Sequence, residues 1–241
     1  MHLRCLSGTP YLGRLEYYFW RTQPAYRQMI ADPVVNEYSK AAGRYDEKWA
    51  FYVEATTRET LQRLPMTPRA RVLDVGCGTG ELLRRLRAKY PRAELAGLDP
   101  VAEMLAVARD KLSGTEDLRV GYADSLPWNA GAFDVVVSCN MFHYITHPVE
   151  ALREMARVLR PGGSLVLTDW CDDYVACRLC NLYLRLTNRA FYKTYRQVEC
   201  LELLRVAGLR DVRFERYKIS WLWGLMTAVV TMESNGVISA G

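Results

Sequence analysis

This chain lacks the features that would put it across a membrane, on nucleic acid or through the secretory route. Its apolar stretch Ile219 to Met232 is about 14 residues long and holds Ser220, Gly224, Thr227 and Thr231. That is short of the ~20 residues a spanning helix needs, so it reads as a core strand and leaves only peripheral membrane contact open. No long run of Lys and Arg occurs and the net charge is +5, so no nucleic-acid partner is expected. The seven cysteines follow no regular spacing; in a chain large enough to fold without staples they read as free thiols of a reducing, cytoplasmic compartment. Cys177-x-x-Cys180 is a single pair with Cys171 upstream, no second pair and no nearby His, which falls short of a zinc set, and no metal is expected. Residues 1–30 contain no compact apolar core of a secretory signal. They carry Arg4, Arg14, Arg21 and Arg27 against the single acid Glu16, a composition that makes an organellar address the alternative to the cytoplasm.

What is present fits one catalytic domain. The chain has 241 residues, 50% of them hydrophobic and 24% charged, enough to bury one sizeable α/β core. Its organising stretch is Val72 to Gly80, Val-Leu-Asp-Val-Gly-Cys-Gly-Thr-Gly, an apolar β-branched run that passes straight into glycines at alternate positions. Leu82, Leu83, Leu86 and Tyr90 then fall on one helical face. A strand, a glycine turn and a helix start make a nucleotide site in general. The Walker loop is excluded, since no Gly-Lys-Ser/Thr follows. The spacing Gly-x-Gly-x-Gly departs from the dinucleotide fingerprint Gly-x-Gly-x-x-Gly. Glu81 at the helix start opposes a pyrophosphate and suits a cationic or zwitterionic ligand.

With Asp74 at the strand end, the nonapeptide resembles motif I of the class I S-adenosylmethionine (SAM) methyltransferases. The resemblance implies SAM as cofactor, its amino acid end held by Asp74, Gly76, Gly78 and Gly80. The strand Glu94 to Leu98 ends at Asp99, nineteen positions past Gly80, where a carboxylate can accept hydrogen bonds from a ribose diol. Dehydrogenases share that device, so a nicotinamide oxidoreductase is one alternative, though the glycine spacing does not suit it. The helix after Asp99 resembles the family's post-motif helix, which implies Met104 near the adenine. A third strand, around Leu118 to Tyr122, leads into Ala123-Asp124-Ser125-Leu126-Pro127-Trp128. In the family such an Asp accepts from the adenine amine while the neighbouring backbone, here Ala123, addresses the ring. Glu37 to Asp46 resembles the Tyr-Asp element that caps the cofactor, which implies contacts from Tyr45 and, more weakly, Tyr38.

The turn after the fourth strand carries most of the information about chemistry. Enzymes acting on exocyclic base amines or glutamine amides have a proline-containing turn there, whereas this chain reads Ser138-Cys139-Asn140-Met141-Phe142-His143-Tyr144. It resembles the type 11, ubiquinone/menaquinone-like group instead. His143 is either a general base, for which an imidazole suits a phenol or an acidic carbon, or a structural group beneath the cofactor. Arg160-Pro161-Gly162-Gly163 stops a helix and turns into the fifth strand.

Alternating α and β units predict a Rossmann-like seven-stranded mixed sheet flanked by helices. Residues 1–45 form an N-terminal extension and helical cap, 46–233 the SAM-dependent domain, and 234–241 a tail. Within the domain, 170–193 are a helical insertion after the fifth strand, expected to begin at Asp172 or Asp173 as N-cap and to lie as a lid over the substrate side. The expected acceptor is a small, apolar or aromatic molecule methylated on oxygen or carbon, with Tyr45, Phe142, His143, Tyr144, Trp170 and Tyr174 as candidate walls. A non-catalytic SAM-binding partner subunit is the second alternative.

Overall fold

The computed structural model describes residues 32–112 and 114–233. The transit-like composition of residues 1–30, the aromatic stretch at 15–31 and the tail at 234–241 lie outside the described residues. In chain order the elements are helix α1 (Pro33–Ala41), a 3-10 turn (Ala42–Arg44), α2 (Tyr45–Lys48), α3 (Ala50–Arg63), strand β1 (Arg71–Val75), α4 (Glu81–Lys89), β2 (Glu94–Asp99), α5 (Ala102–Lys111), β3 (Asp117–Val120), β4 (Phe133–Cys139), a second 3-10 turn (Phe142–Tyr144), α6 (Pro148–Val158), β5 (Leu159–Trp170), α7 (Val175–Thr187), α8 (Gln197–Val206), β6 (Val212–Lys218) and β7 (Gly224–Thr231).

One seven-stranded sheet has the order β3-β2-β1-β4-β5-β7-β6. β1 pairs in parallel with both β2 and β4, and only β7, lying between β5 and β6, is antiparallel. Successive residues of the central strands serve opposite faces, as the period of two requires. Val135 and Val137 enter one apolar layer with Leu83, Leu86 and Leu105, while Val136 enters the other with Leu152, Met155 and Leu204. The expected Rossmann-like mixed sheet is therefore present. Because the chain leaves β1 toward β2 on one side and β4 on the other, a crevice opens at the carboxyl ends of these strands.

Two local expectations are corrected. β5 begins at Leu159 and runs through the Arg-Pro-Gly-Gly segment, with Leu159 opposite Phe133 and Ser164 opposite Val135. Two steps on β4 thus face five on β5, a bulge that absorbs the turn inside the strand. The helix of the insertion starts at Val175 with Tyr174 at its N-cap. Asp172 instead accepts from the Thr194 hydroxyl (3.1 Å), and Asp173 from the Gln197 N–H (3.0 Å). The two acids tie down the return path from the insertion rather than its start.

Leu152 and Met155 are fully buried between α6 and the sheet. Replacing either with Ala should cost about 2–5 kcal/mol, read as a lower urea midpoint with an unchanged slope.

Candidate active site

The crevice is a cavity of about 390 Å³ at the carboxyl ends of β1, β2 and β4. The loop leaving β1 forms its floor. Gly76 and Gly78 have φ of 77° and 52°, in the left-handed region. A Cβ on Gly76 would lie 2.3 Å from the Met141 side chain, whereas one on Gly78 would meet nothing within 4 Å. Gly78 borders the cavity, so its bare backbone leaves room for a ligand to approach the main chain. Gly80 does not border the cavity, and its missing Cβ would sit 3.0 Å from that of Ala108 on α5. Its part is to let α4 start close to α5.

Two carboxylates are buried beside this loop. Asp99 accepts from the Gly78 N–H at Oδ2 and from the Val101 N–H at Oδ1, both at 2.9 Å. Burial raises its pKa to about 6 in spite of those bonds. Each carboxylate oxygen keeps a second lone pair for a diol. Asp74 is 2% exposed, and its Oδ1 has no hydrogen-bond partner among the described residues. Burial, and then the charge of Asp99, raise its pKa to about 8. An orphaned buried carboxylate bordering a cavity is a site for a cation, because the desolvation penalty is relieved when an opposite charge arrives.

Those features fit SAM: an open glycine backbone, an unpartnered carboxylate for an ammonium group, and Asp99 for a ribose. Met104, Ala123 and Asp124 also border the cavity, on the side where an adenine would lie if the ribose is at Asp99. Asp124 Oδ2 lies 3.8 Å from His147 Nδ1. Asp46 links the segment before the sheet to the loop: it accepts from the Thr79 hydroxyl (2.6 Å) at one oxygen and pairs with Lys111 at the other.

The remaining wall is aromatic. Tyr38, Tyr45 and Tyr144 border the cavity together with Phe191 and Tyr192. The hydroxyls of Tyr38 and Tyr144 bond each other, and the rings of Tyr38 and Tyr45 meet edge to face at 5.9 Å. Burial pushes all three phenols up, so they stay protonated donors. Four expected walls are elsewhere. Phe142 is fully buried in the core, Trp170 donates its indole N–H to the Tyr52 hydroxyl, and Tyr174 borders a separate groove.

His143 is the fourth. It is 4% exposed and absent from the lining. Its Nδ1 lies 2.6 Å from Asp169 Oδ1, and its N–H donates to Asp169 Oδ2 at 3.0 Å. Its carbonyl accepts from the N–H groups of Tyr192 (3.1 Å) and Lys193 (3.0 Å). His143 thus fastens the aromatic wall to β5. Sequence reading passed over His147 and Phe191. His147 was findable, since it directly precedes Pro148 at the first turn of α6, at the crevice end of β4.

Residues 73–167 match the model of a family described as a methyltransferase domain. The chain is 32% identical over 148 residues to a malonyl-[acyl-carrier protein] O-methyltransferase of Legionella pneumophila, a stretch covering 60% of this chain and 52% of that one. It is 40% identical over 106 residues to a ubiquinone/menaquinone biosynthesis C-methyltransferase of Pseudomonas paraeruginosa, covering 42% and 41%. It thus spans about half the length, or less, of these curated relatives. Among solved structures, a putative methyltransferase of Haloferax volcanii in complex with the Trm112 methyltransferase activator superposes with a TM-score of 0.72 at 23% identity, over 82% of this chain and 98% of that one. A SAM-dependent methyltransferase of Thermotoga maritima, titled a possible histamine N-methyltransferase, gives 0.69 at 18%, over 83% and 100%. These two likenesses show the fold. Residues 73–167 are thus similar to a methyltransferase domain and sit in the fold these structures share.

Two measurements check the site. Binding needs Asp99 ionised as an acceptor, so affinity for S-adenosylhomocysteine should fall as pH drops through about 6, toward tenfold per unit below it. Asp99→Asn should bind roughly ten- to a hundredfold more weakly by calorimetry. For Asp74 the folded pKa lies above the unfolded one, so the ligand-free chain loses stability as pH rises from about 4 to about 8. Asp74→Asn should therefore melt higher than the parent at pH 8 while binding the ligand less tightly.

Proposed function

We propose that the chain transfers a methyl group from SAM to an oxygen or carbon of a small, apolar or aromatic acceptor. The observation that carries the reading is the pairing, within one cavity, of the polar glycine loop and its carboxylates with a wall of aromatic rings. Bound SAM supplies a sulfonium-activated methyl group. The chain's own part is alignment and exclusion of water, which can supply much of the barrier reduction for an in-line displacement.

Tyr38 and Tyr144 are proposed to hold an acceptor oxygen. Their hydroxyls are paired, and being protonated they can donate to a carbonyl or a developing oxyanion. Neither suits the part of a base. His143 is proposed as a positioning residue, because its imidazole is engaged with Asp169 and its carbonyl holds the Tyr192–Lys193 backbone. The relatives' names support the choice of acceptor atom: one is a ubiquinone/menaquinone biosynthesis C-methyltransferase and another a malonyl-[acyl-carrier protein] O-methyltransferase. We assign no oligomeric state and no partner protein.

Incubating the full chain with methyl-labelled SAM and fractionated metabolite extracts, followed by mass spectrometry, should give label in a small apolar product. Label found only in protein or RNA would overturn the reading. With the acceptor in hand, Tyr144→Phe should lower kcat on the order of tenfold, the loss of one donor. SAM affinity should not change.

A further inference from the structure

Helix α7 is turned inside out. Val175, Leu179, Leu182, Tyr183 and Leu186 fall on one face by their i, i+4, i+7, i+8, i+11 spacing. All five are exposed, between 60% and 79%. The opposite face, with Cys177 buried and donating to the Gly224 carbonyl at 3.3 Å, is what docks on the protein. Trp221, 84% exposed, extends the stripe, sharing a shallow groove with Val175, Leu179 and Leu222. A helix that spends its larger apolar residues on the outside has a second surface to meet.

Charge says what that surface is. From Tyr174 to Val198 the sequence contains Arg178, Arg185, Arg189, Lys193 and Arg196 and no acid. Arg178 and Arg185 lie three positions after Val175 and Leu182, along one edge of the stripe. Neither they nor Arg189 form an ion pair among the described residues; Lys218 on the groove rim lies 5.4 Å from the Tyr174 ring. The acids nearest the stripe are already engaged: Asp173 by Arg216 and the Gln197 N–H, Asp172 by the Thr194 hydroxyl. A second copy of this chain on the same face would set these arginine rows against each other with no acid in the segment to meet them.

We infer that α7 and Trp221 dock on an anionic lipid surface, the apolar stripe entering the headgroup boundary and the arginine edge meeting the phosphates. An amphipathic helix with aromatic and leucine residues on one face and arginines at its border has the composition of an interfacial anchor. Among the described residues no helix is long and apolar enough to cross a membrane, so the contact is one of lying on the surface. The chain leaving α7, Arg189 to Tyr192, walls the cavity. On the acceptor class proposed above, the anchor therefore holds that wall next to an apolar phase.

Flotation or sedimentation of the full chain with vesicles tests the docking without needing the acceptor. The chain should bind vesicles in which about a third of the lipid is phosphatidylglycerol, and bind phosphatidylcholine vesicles at least tenfold more weakly, the difference shrinking with salt. A Leu182→Glu/Leu186→Glu variant should lose vesicle binding at least tenfold, and Arg178→Glu/Arg185→Glu should lose the preference for acidic lipid. Both should keep the parent's affinity for S-adenosylhomocysteine, which certifies the fold. No binding of the parent to acidic vesicles, or equal binding by the leucine variant, overturns the inference. So does a parent that elutes as a dimer and a leucine variant that elutes as a monomer, since the stripe would then be a self-association face. Failure of the methylation screen leaves this result untouched.

Discussion

Two carboxyl groups with too little water around them govern this molecule. Asp74 and Asp99 end neighbouring parallel strands, and one is left with an oxygen that nothing among the described residues satisfies. Holding such groups in an apolar interior opposes folding, and a protein interior tolerates them only where the surrounding packing is strong enough to carry the cost. Here the strands bearing them lie in the centre of the sheet, between two fully buried apolar layers. The glycine loop completes the arrangement, because it lets the Gly78 N–H reach Asp99 while leaving the space beside Gly78 open. The binding preference for a zwitterion with a ribose follows from that local imbalance.

The N-terminal helices and the insertion extend the same site rather than forming a separate domain. Asp46 touches both the glycine loop, through Thr79, and α5, through Lys111. Tyr38 reaches across to Tyr144 on the turn after β4. From the other end of the chain, Tyr192 and Lys193 hang on the His143 carbonyl. The aromatic wall is thus assembled from three segments remote in sequence.

That difference explains what the sequence disclosed. The strand, glycine turn and helix from Val72 to Lys89 were readable because hydrophobic period and glycine spacing are local signals. Asp99 was placed by its position at a strand end, Met104 and Asp124 by the family resemblance, and all three border the cavity. The place of Gly80 beside α5 was not legible, because a glycine's conformation does not say whether ligand or helix occupies the space beside it. The aromatic wall was harder. Phe142 and Tyr144 are two residues apart in a 3-10 turn, yet one enters the core and the other the cavity, a choice fixed by packing against Tyr195 and Tyr38 rather than by composition. The outward stripe of α7 has the periodicity of a core face, and periodicity does not tell which side the core is on.

The matched family region, residues 73–167, ends before the insertion and starts after Tyr38 and Tyr45. It contains the glycine loop, Asp74, Asp99 and Asp124, and of the aromatic rings that border the cavity Tyr122 and Tyr144, while Tyr38, Tyr45, Phe191 and Tyr192 lie outside it. Most of the aromatic wall is therefore drawn from stretches outside the matched region. Change confined to those stretches would reshape that wall and leave the glycine loop and its carboxylates as they are.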